Sequence, residues 1–512
     1  MSANIELRAH YRRVEGHRPW PRFIVDAEAW SALAEELGAG RRSLLGFWGE
    51  PGAVHMAVLE RDEILVASLA CPDGRFPSLG VHHAPARRLE RAIRDLFGLE
   101  AREATAGATG SIDARPWLDH GRWGIRAPLG RSPTSAPADG SAYAFLPAEG
   151  ESLHEVPVGP VHAGIIEPGH FRITAAGETL VRLEARLGYV HKGIEGLMAG
   201  AGLDRAARLA GRTSGDSTVA YAFAFAHAAE AALGLEIPPR ARRLRAFMAE
   251  LERLANHLGD IGAICNDAAF ALMHAHCGIL REQVLRAADA AFGHRLMRDA
   301  IVPGGVSVDL DSRGSRTIAA LIGEIRRRFP ALAALYENTA SLQNRTVGAG
   351  VLAPSLALQY AAGGPVGRAS GRNFDARRAT GYPPYDELSF EVPVRTEGDV
   401  DARIRIRMLE IEQSLAMLEQ LLQHMPSGSR CAALPSSTPA GFGEGMALVE
   451  GFRGDILVWL ELDSKTRVAR CHLRDPSWFQ WPLLEAAIEG NIVADFPLVN
   501  KSFNCSYSGQ DL

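Results

Sequence analysis

The clearest hydrophobic pattern of the chain lies in residues 403–424. Its apolar residues alternate spacings of four and three, which places them along one face of a helix: Ile404, Met408, Ile411, Leu415, Leu418 and Leu422. The pattern therefore predicts a long helix whose apolar face packs against a core. Weaker patterns of the same period predict further helices near residues 203–233, 240–261 and 278–290.

The pattern before residue 129 is different. A predicted helix over residues 26–37 precedes apolar runs at 44–48, 54–59 and 64–71, and a second helix is predicted over 84–97. The last two apolar runs are separated by a short polar turn, which is typical of a hairpin. This part of the chain is therefore predicted to be a small α/β domain with a hairpin-rich sheet.

A segment of linker composition separates the two patterns. Residues 129–150 are rich in Pro, Gly, Ser and Ala, so we expect domains at 1–128 and 151–512 joined by this linker. Within the second domain, apolar runs at 446–450 and 456–462 predict a β-hairpin. The predicted fold class is α+β, with a small α/β N-terminal domain followed by a mainly α-helical bundle domain with β-hairpin appendages.

Composition and charge exclude several classes of protein. The 512 residues are 47% hydrophobic and 22% charged, which excludes a disordered chain, and the net charge of -5 argues against nucleic-acid binding. We find no secretory signal pattern and no run of about 18 apolar residues, so we expect a cytoplasmic protein with no direct membrane span. The six cysteines include no CxxC pair, which favours reduced thiols over disulfides or a zinc site.

Seven segments of the second domain occur in a recognisable order. They read VGPVHAGIIEPGHFRI, RLGYVHKGIEGL, RTSGDS, LERLANHL, NRTVGAG, GPVGRASG and FPLVNKSFNCSYSGQDL. Together they resemble the large subunit of the membrane-bound nickel-iron hydrogenases, including that of formate hydrogenlyase, and its descendant in the peripheral arm of respiratory complex I. Residues 75–100, RFPSLGVHHAPARRLERAIRDLFGLE, resemble the smaller complex I subunit that is often fused ahead of the large one.

The resemblance stops at the metal ligands. In the hydrogenases two CxxC pairs supply four thiolates to the nickel-iron centre, and here Ser214 and Ser217 take the positions of the first pair, Ser506 and Gly509 those of the second. A neutral hydroxyl is a poor replacement for a soft thiolate, so we expect no nickel-iron centre and no other metal in this chain. Cys505 lies one position from such a site and is interpreted as a buried, inert thiol.

Three residues carry over as candidates for catalysis. Glu167 matches the family's proton-transfer glutamate, and a carboxylate partly buried by apolar neighbours can have a pKa raised into a range useful for relay. Arg453 matches the arginine above the open side of the metal site, where its guanidinium could face an anion or a carbonyl. His162 corresponds to the loop that borders the quinone headgroup in complex I, and its imidazole could donate to a quinone carbonyl. The alternatives are an ordinary turn residue for Glu167 and a solvent-facing hairpin-turn arginine for Arg453.

The remaining candidates are polar residues of a pocket or a charge network: His170, Tyr221, Glu250, His257, Arg368 and Asp375. Tyr221 stands where the hydrogenases carry a histidine. Glu250 and His257 are seven positions apart on one predicted helix, hence on the same face. Because buried charges must be paired, this set indicates either an ion-pair network that braces the helices or a proton path.

The resemblance implies a large subunit of a membrane-associated oxidoreductase complex. It would take electrons from a partner iron-sulfur subunit, with quinone as a candidate acceptor, and couple their transfer to proton or ion translocation. The implied partners are an iron-sulfur small subunit, which holds the iron-sulfur cluster, and antiporter-like membrane subunits, through which this chain would lie peripherally on the inner face of the cell membrane. The alternatives are a non-catalytic scaffold subunit of such a complex and an active nickel-iron hydrogenase.

Overall fold

Strands and two helices make up the first part of the chain, and long helices dominate the second. The computed structural model describes residues 8–103, 111–118, 124–135, 143–161 and 166–512. The first elements are β1 Arg12–Arg13, β2 His17–Arg18, β3 Arg22–Val25, α1 Ala27–Gly38, β4 Ser43–Glu50, β5 Ala53–Glu60, β6 Glu63–Ala70, β7 Arg75–Pro77, α2 Arg87–Phe97, β8 Glu100–Arg102, β9 Ile125–Arg126 and β10 Thr134–Ser135. The later strands are β11 Leu153–Val158, β12 His170–Ala176, β13 Thr179–Arg186, β14 Ile301–Val302, β15 Gly305–Val306, β16 Glu444–Gly451, β17 Gly454–Leu462 and β18 Val468–Arg474.

The helices of the second part follow in chain order. They are α3 Ile194–Met198, α4 Leu203–Ala210, α5 Thr218–Leu233, α6 Pro239–Asp267, α7 Ala271–Phe292, α8 Ser312–Asn338, α9 Ala340–Thr346, α10 Pro354–Gln359, α11 Gly364–Ala369, α12 Val400–Gln423, α13 Ser477–Ile488, α14 Phe496–Phe503 and α15 Tyr507–Asp511. This mixture of helices and sheets confirms the predicted α+β class. Among the described residues, no helix combines the length and the apolar composition needed to cross a membrane.

The N-terminal sheet is built around the predicted apolar runs. Its strand order is β1–β3–β6–β5–β4, in which β3 and β6 are parallel and the other neighbours antiparallel. Strands β4 and β5 contain the first two predicted runs and β6 covers the third except for Cys71, and α1 and α2 match the two predicted helices within three residues at each end. Asp26 begins α1 because its side chain accepts a hydrogen bond from the Ala29 backbone N–H.

Helices α6 and α12 pack against each other at the centre of the second part. The predicted stripe of α12 is buried: Ile404, Ile411, Leu415 and Leu418 have no exposed surface. The single helix predicted over residues 203–233 is wrong, because α4 and α5 are separated by the segment RTSGDS. Ser, Gly and Asp favour turns and caps over helix interiors, and the Thr218 hydroxyl donates to the Gly211 carbonyl oxygen across this break.

The predicted hairpin forms and belongs to a larger sheet. Strands β16 and β17 are antiparallel and turn at Gly451 and Gly454. The sheet order is β18–β17–β16–β2, so the N-terminal strand β2 completes a C-terminal sheet, with His17 opposite Glu444. The turn between β16 and β17 carries Arg453 into the interior, where only 7% of the residue is exposed.

One apolar core runs through both parts of the chain. The rings of Trp48 and Trp459 lie 5.7 Å apart, and Arg474 Nε donates to the Leu45 carbonyl oxygen at 2.7 Å. Described residues of the predicted linker also make contacts, since the Leu129 N–H donates to the Leu96 carbonyl oxygen. The domain boundaries at 129 and 150 stay a prediction.

Candidate functional site

A cavity of about 300 Å³ opens where four separate segments of the second part meet. The segments are the loop before β12 with Glu167, the break between α4 and α5 with Ser214, the β16–β17 turn with Arg453, and the residues around Ser506 before α15. The fold therefore brings Glu167 and Arg453, two of the three candidate catalytic residues, to one cavity. His162, the third, lies outside the described residues.

The four positions that the resemblance assigns to metal ligands lie together beside this cavity. The hydroxyl oxygens of Ser214 and Ser506 are hydrogen-bonded at 2.9 Å, and the Gly509 N–H donates to Ser506 Oγ at 2.9 Å. Ser217 Oγ accepts from Arg453 Nη1 at 3.0 Å. Three of the four positions thus present hydroxyl groups and the fourth has no side chain. The hydroxyl of Ser214 also donates to Asp216 Oδ1 at 2.9 Å, so these positions are hydrogen-bonded to protein groups.

Arg453 is held by a carboxylate that the sequence patterns did not single out. Its Nη1 and Nη2 atoms donate to the two oxygens of Asp216 at 2.8 and 2.5 Å, and its Nε donates to the Asn504 carbonyl oxygen. Burial opposes the charge of both partners, but their attraction raises the pKa of Arg453 and holds that of Asp216 below its ordinary value. A bidentate pair of this kind fixes the guanidinium plane toward the cavity.

Glu167 lies at the mouth of the cavity. Its Oε2 accepts a hydrogen bond from the Ser508 backbone N–H at 2.9 Å, and the side chain is exposed in the isolated chain, so the partial burial expected from the sequence is not found. Gly169 lets this loop approach closely, because a Cβ there would lie 2.6 Å from the ring of Tyr507. His170 is not among the residues that line the cavity, and its Nδ1 lies 2.9 Å from the Gly159 carbonyl oxygen.

Tyr221 lies behind the cavity on α5. Its hydroxyl donates to Asp475 Oδ2 at 2.7 Å, and both residues are buried. Burial, followed by the negative charge of Asp475, raises the pKa of Tyr221 well above its ordinary value. The pair is therefore a neutral phenol donating to a carboxylate, and Asp475 is a second site residue that the sequence patterns missed.

The remaining candidates belong to a buried charge network under the cavity. Its members are almost without exposed surface: Glu250, Arg253, His257, Arg368, Asp375, Arg377, Glu410 and Glu450. His257 Nε2 lies 2.6 Å from Glu410 Oε2, and Arg368 bridges Glu410 and Glu450 at 2.7 and 2.9 Å. These contacts join helix α6 to α11, α12 and strand β16.

Glu250 and His257 share one face of α6, as predicted, and are linked through Arg253 rather than directly. Arg253 Nε lies 3.3 Å from Glu250 Oε2, and its Nη1 lies 3.9 Å from Glu410 Oε2. The same guanidinium donates to the carbonyl oxygens of Glu450 and Gly451 at 2.8 and 2.9 Å. The network therefore braces the turn that carries the cavity arginine.

The other half of the network centres on Arg377. Its Nη2 and Nη1 atoms reach Asp375 at 2.6 Å and Glu250 at 2.8 Å. Glu450 pairs with Arg368 and its Oε2 also accepts from the Ala376 N–H at 3.0 Å, but burial together with the charge of Asp375 raises its pKa to about 7. The network thus contains one carboxyl group that can bind a proton near neutral pH. This is compatible both with bracing of the helices and with storage of a proton.

A second, largely apolar pocket of about 370 Å³ adjoins the cavity. Ile166 lines both spaces. Apolar side chains form most of its wall, among them Val156, Val158, Phe171, Ile173 and Phe496. Asp267 and Lys501 supply the charged groups. An apolar pocket with a few polar groups is typical of a small-molecule site.

Similarity to known proteins extends over nearly the whole chain. Residues 267–441 and 436–511 match the family model of the respiratory-chain NADH dehydrogenase 49 Kd subunit. The chain is 32% identical over 357 residues to the carbon monoxide-induced hydrogenase of Rhodospirillum rubrum, covering 69% of this chain and 98% of that protein. It is 30% identical over 482 residues to hydrogenase-4 component G of Escherichia coli strain K12, covering 93% of this chain and 82% of that protein.

The fold has a counterpart among solved structures. It superimposes on a chain of the membrane-bound sulfane sulfur reductase, an archaeal respiratory membrane complex, with a TM-score of 0.67 and 26% identity. That match covers 71% of this chain and 99% of the other. Together with the site geometry, these similarities show that the chain belongs to the family of the complex I 49 kDa subunit and the related nickel-iron hydrogenase large subunits.

Proposed function

We propose that the chain is the large subunit of a membrane-associated oxidoreductase complex related to complex I and to the energy-converting hydrogenases. In this proposal it couples electron transfer from a partner iron-sulfur subunit to proton or ion translocation by antiporter-like membrane subunits. Its kinship with hydrogenases, and with a subunit of a respiratory membrane complex, supports such a setting. The proposed chemistry proceeds without a nickel-iron centre.

The observation that carries the proposal is the cavity shared by Glu167 and Arg453. Glu167 is a solvent-exposed carboxylate at the cavity mouth, which is the position that a group relaying protons into the cavity would occupy. Arg453 and Asp216 form a fixed pair of opposite charges inside, which orients dipoles and water in the cavity. Three hydroxyls and a glycine at the ligand positions support the absence of a nickel-iron centre, since that centre requires thiolates.

Quinone is the acceptor that the neighbouring pocket favours. A quinone headgroup and the start of its isoprenoid tail need an apolar space with a few hydrogen-bonding groups. The pocket beside Ile166 offers such a space, and Asp267 and Lys501 offer polar groups within it. A quinone there would stand next to the cavity of Glu167, so that its reduction and its protonation would occur side by side.

A non-catalytic scaffold subunit is the alternative, and the braced charge network is the observation that favours it. Two substitutions in the assembled complex distinguish a catalytic subunit from a scaffold subunit. Glu167→Gln keeps volume and hydrogen bonding but removes the titratable group, and Arg453→Lys removes the planar fork that Asp216 holds. Matched controls are Glu178→Gln, in the exposed turn between β12 and β13, and Arg467→Lys, at an exposed surface pair.

The measurements are the yield of the purified complex and redox-linked ion transport in vesicles. We expect both cavity variants to assemble normally and to lose most of the transport, while both controls keep it. Normal transport in both cavity variants would contradict the proposal and leave the scaffold role.

A further inference from the structure

Gly509, the fourth ligand position, lies directly against a carboxylate. A Cβ added to Gly509 would come within 2.4 Å of Asp475 Oδ2 and 2.9 Å of Ser506 Oγ, closer than the 3.0 Å below which real Cβ atoms are essentially never found. The backbone of Gly509 is not in the left-handed region, so its conformation alone would accept any residue. Its neighbours, above all Asp475, are what exclude a side chain here.

Asp475 cannot move aside without losing partners. Only 1% of the residue is exposed, its Oδ2 accepts from the Tyr221 hydroxyl at 2.7 Å, and its Oδ1 accepts from the Ser477 N–H at 2.8 Å. Ser477 Oγ in turn accepts from the Ser506 N–H at 2.8 Å, which ties this carboxylate to the second ligand pair. A displaced Asp475 would leave the buried Tyr221 hydroxyl unpaired, which is costly.

We propose that Asp475 fills the space that a ligand side chain at position 509 would need. Cysteines introduced at all four ligand positions would therefore not form a four-thiolate metal site while the Asp475–Tyr221 pair is in place. The three serines differ from cysteine by one atom, whereas Gly509 has no side chain and its neighbours leave no room for a Cβ. This inference concerns space at one position and does not depend on whether the cavity transfers protons.

A double-mutant cycle in the full chain tests the contact without any metal. We expect Gly509→Ala to lower the Tm by several degrees, and Asp475→Ser to remove most of that penalty when the two are combined. Gly215→Ala is the matched control, because Gly215 lines the same cavity and a Cβ there meets no atom within 4 Å. If Gly509→Ala is as stable as Gly215→Ala, the proposal is overturned.

Cadmium titration then tests the consequence for metal binding. The probe is Cd²⁺ alone, and the number of bound thiolates is read from the thiolate-to-cadmium charge-transfer absorbance. Adding Gly509→Cys to the variant Ser214→Cys/Ser217→Cys/Ser506→Cys is expected to add no fourth thiolate and to change the Cd²⁺ affinity less than about threefold. Further addition of Asp475→Ser is expected to add the fourth thiolate and raise the affinity at least about tenfold.

A fourth thiolate bound while Asp475 is still in place would overturn the proposal. Should the multiple variants fail to fold, the double-mutant cycle at Gly509 and Asp475 decides alone. The Tm and Cd²⁺ measurements do not depend on ion transport. Failure of this inference can therefore be distinguished from failure of the function proposed for Glu167 and Arg453.

Discussion

The hydroxyl oxygens of Ser214 and Ser506 lie 2.9 Å apart, although the residues are 292 positions apart in the chain. The two segments that the family resemblance aligns with ligand pairs therefore meet in space. At their meeting point they share a hydrogen bond between two hydroxyl groups.

This hydrogen bond leads to a prediction about metal content. The purified protein, alone or in its complex, is expected to contain no stoichiometric nickel, because neutral hydroxyls are hard, weakly basic ligands. Elemental analysis of the purified complex checks the nickel content. A nickel-iron hydrogenase purified by the same method is the positive control. About one nickel per chain would contradict the prediction and would favour an active hydrogenase.

A second prediction concerns Glu450 and pH. Its pKa is about 7 in the folded chain, above its ordinary value of 4.5, so the protonated form stabilises the fold. That contribution is fully present below pH 4.5 and is lost as the pH rises through 7. We expect Glu450→Gln, which mimics the protonated acid, to match the wild type near pH 5 and to be more stable near pH 8. Denaturant unfolding across this range measures the difference.

Glu410→Gln is the matched control for Glu450. Arg368 and His257 bind Glu410 directly, and although burial alone would raise its pKa, these partners hold it well below its ordinary value. Its replacement should therefore destabilise the chain across the range from pH 5 to pH 8, by about 3–5 kcal/mol for a broken buried pair. If the difference in unfolding free energy between Glu450→Gln and the wild type is the same at every pH measured, Glu450 is not the group that binds the proton.

A third prediction concerns the segment at 129–150. A protease is expected to cut there first, because the segment has linker composition. The two fragments should nonetheless elute together under native conditions, since Arg22 and Glu444, and Arg88 and Glu485, pair at 2.5 and 2.6 Å across the cut. They should separate in denaturant. Cleavage inside the helical part with this segment intact would show that the predicted boundary is misplaced.

A fourth prediction concerns the stripe of α12. Leu418 has no exposed surface, so Leu418→Ala should lower the free energy of unfolding by about 2–5 kcal/mol through lost burial and the cavity left behind. Leu409, on the same helix, is 46% exposed, and Leu409→Ala should change stability by less than about 0.5 kcal/mol. Equal effects of the two substitutions would mean that the helix packs by another face.

Much of the fold follows from local patterns, and some of it does not. Helix α12 is predictable because a period of 3.5 to 3.6 residues places its apolar side chains on one face. Helix α8, Ser312–Asn338, was missed because a proline such as Pro330 normally marks the end of a helix, although here the helix continues through it. The break between α4 and α5 was missed because apolar residues on both sides keep the period while RTSGDS ends the helix.

The candidate site shows the same limit. The resemblance located Glu167, Arg453 and the four ligand positions, since these stand in recognisable segments. Asp216 and Asp475 were not found, because their partners lie 237 and 254 positions away and no local pattern reports such contacts. The exposure of Glu167 likewise depends on how a loop meets α15, which spacing along the chain does not encode.

Because β2 pairs with β16, this sheet can be completed only late in the synthesis of the chain on the ribosome. His17 lies opposite Glu444, so the first-made edge of this sheet waits for a strand synthesised 427 residues later (444 minus 17). At about 5–20 residues per second, that delay is roughly 20–85 s. During this time the apolar surface around Trp48 has no Trp459 to cover it, so this surface stays exposed in the nascent chain until β17 has been made.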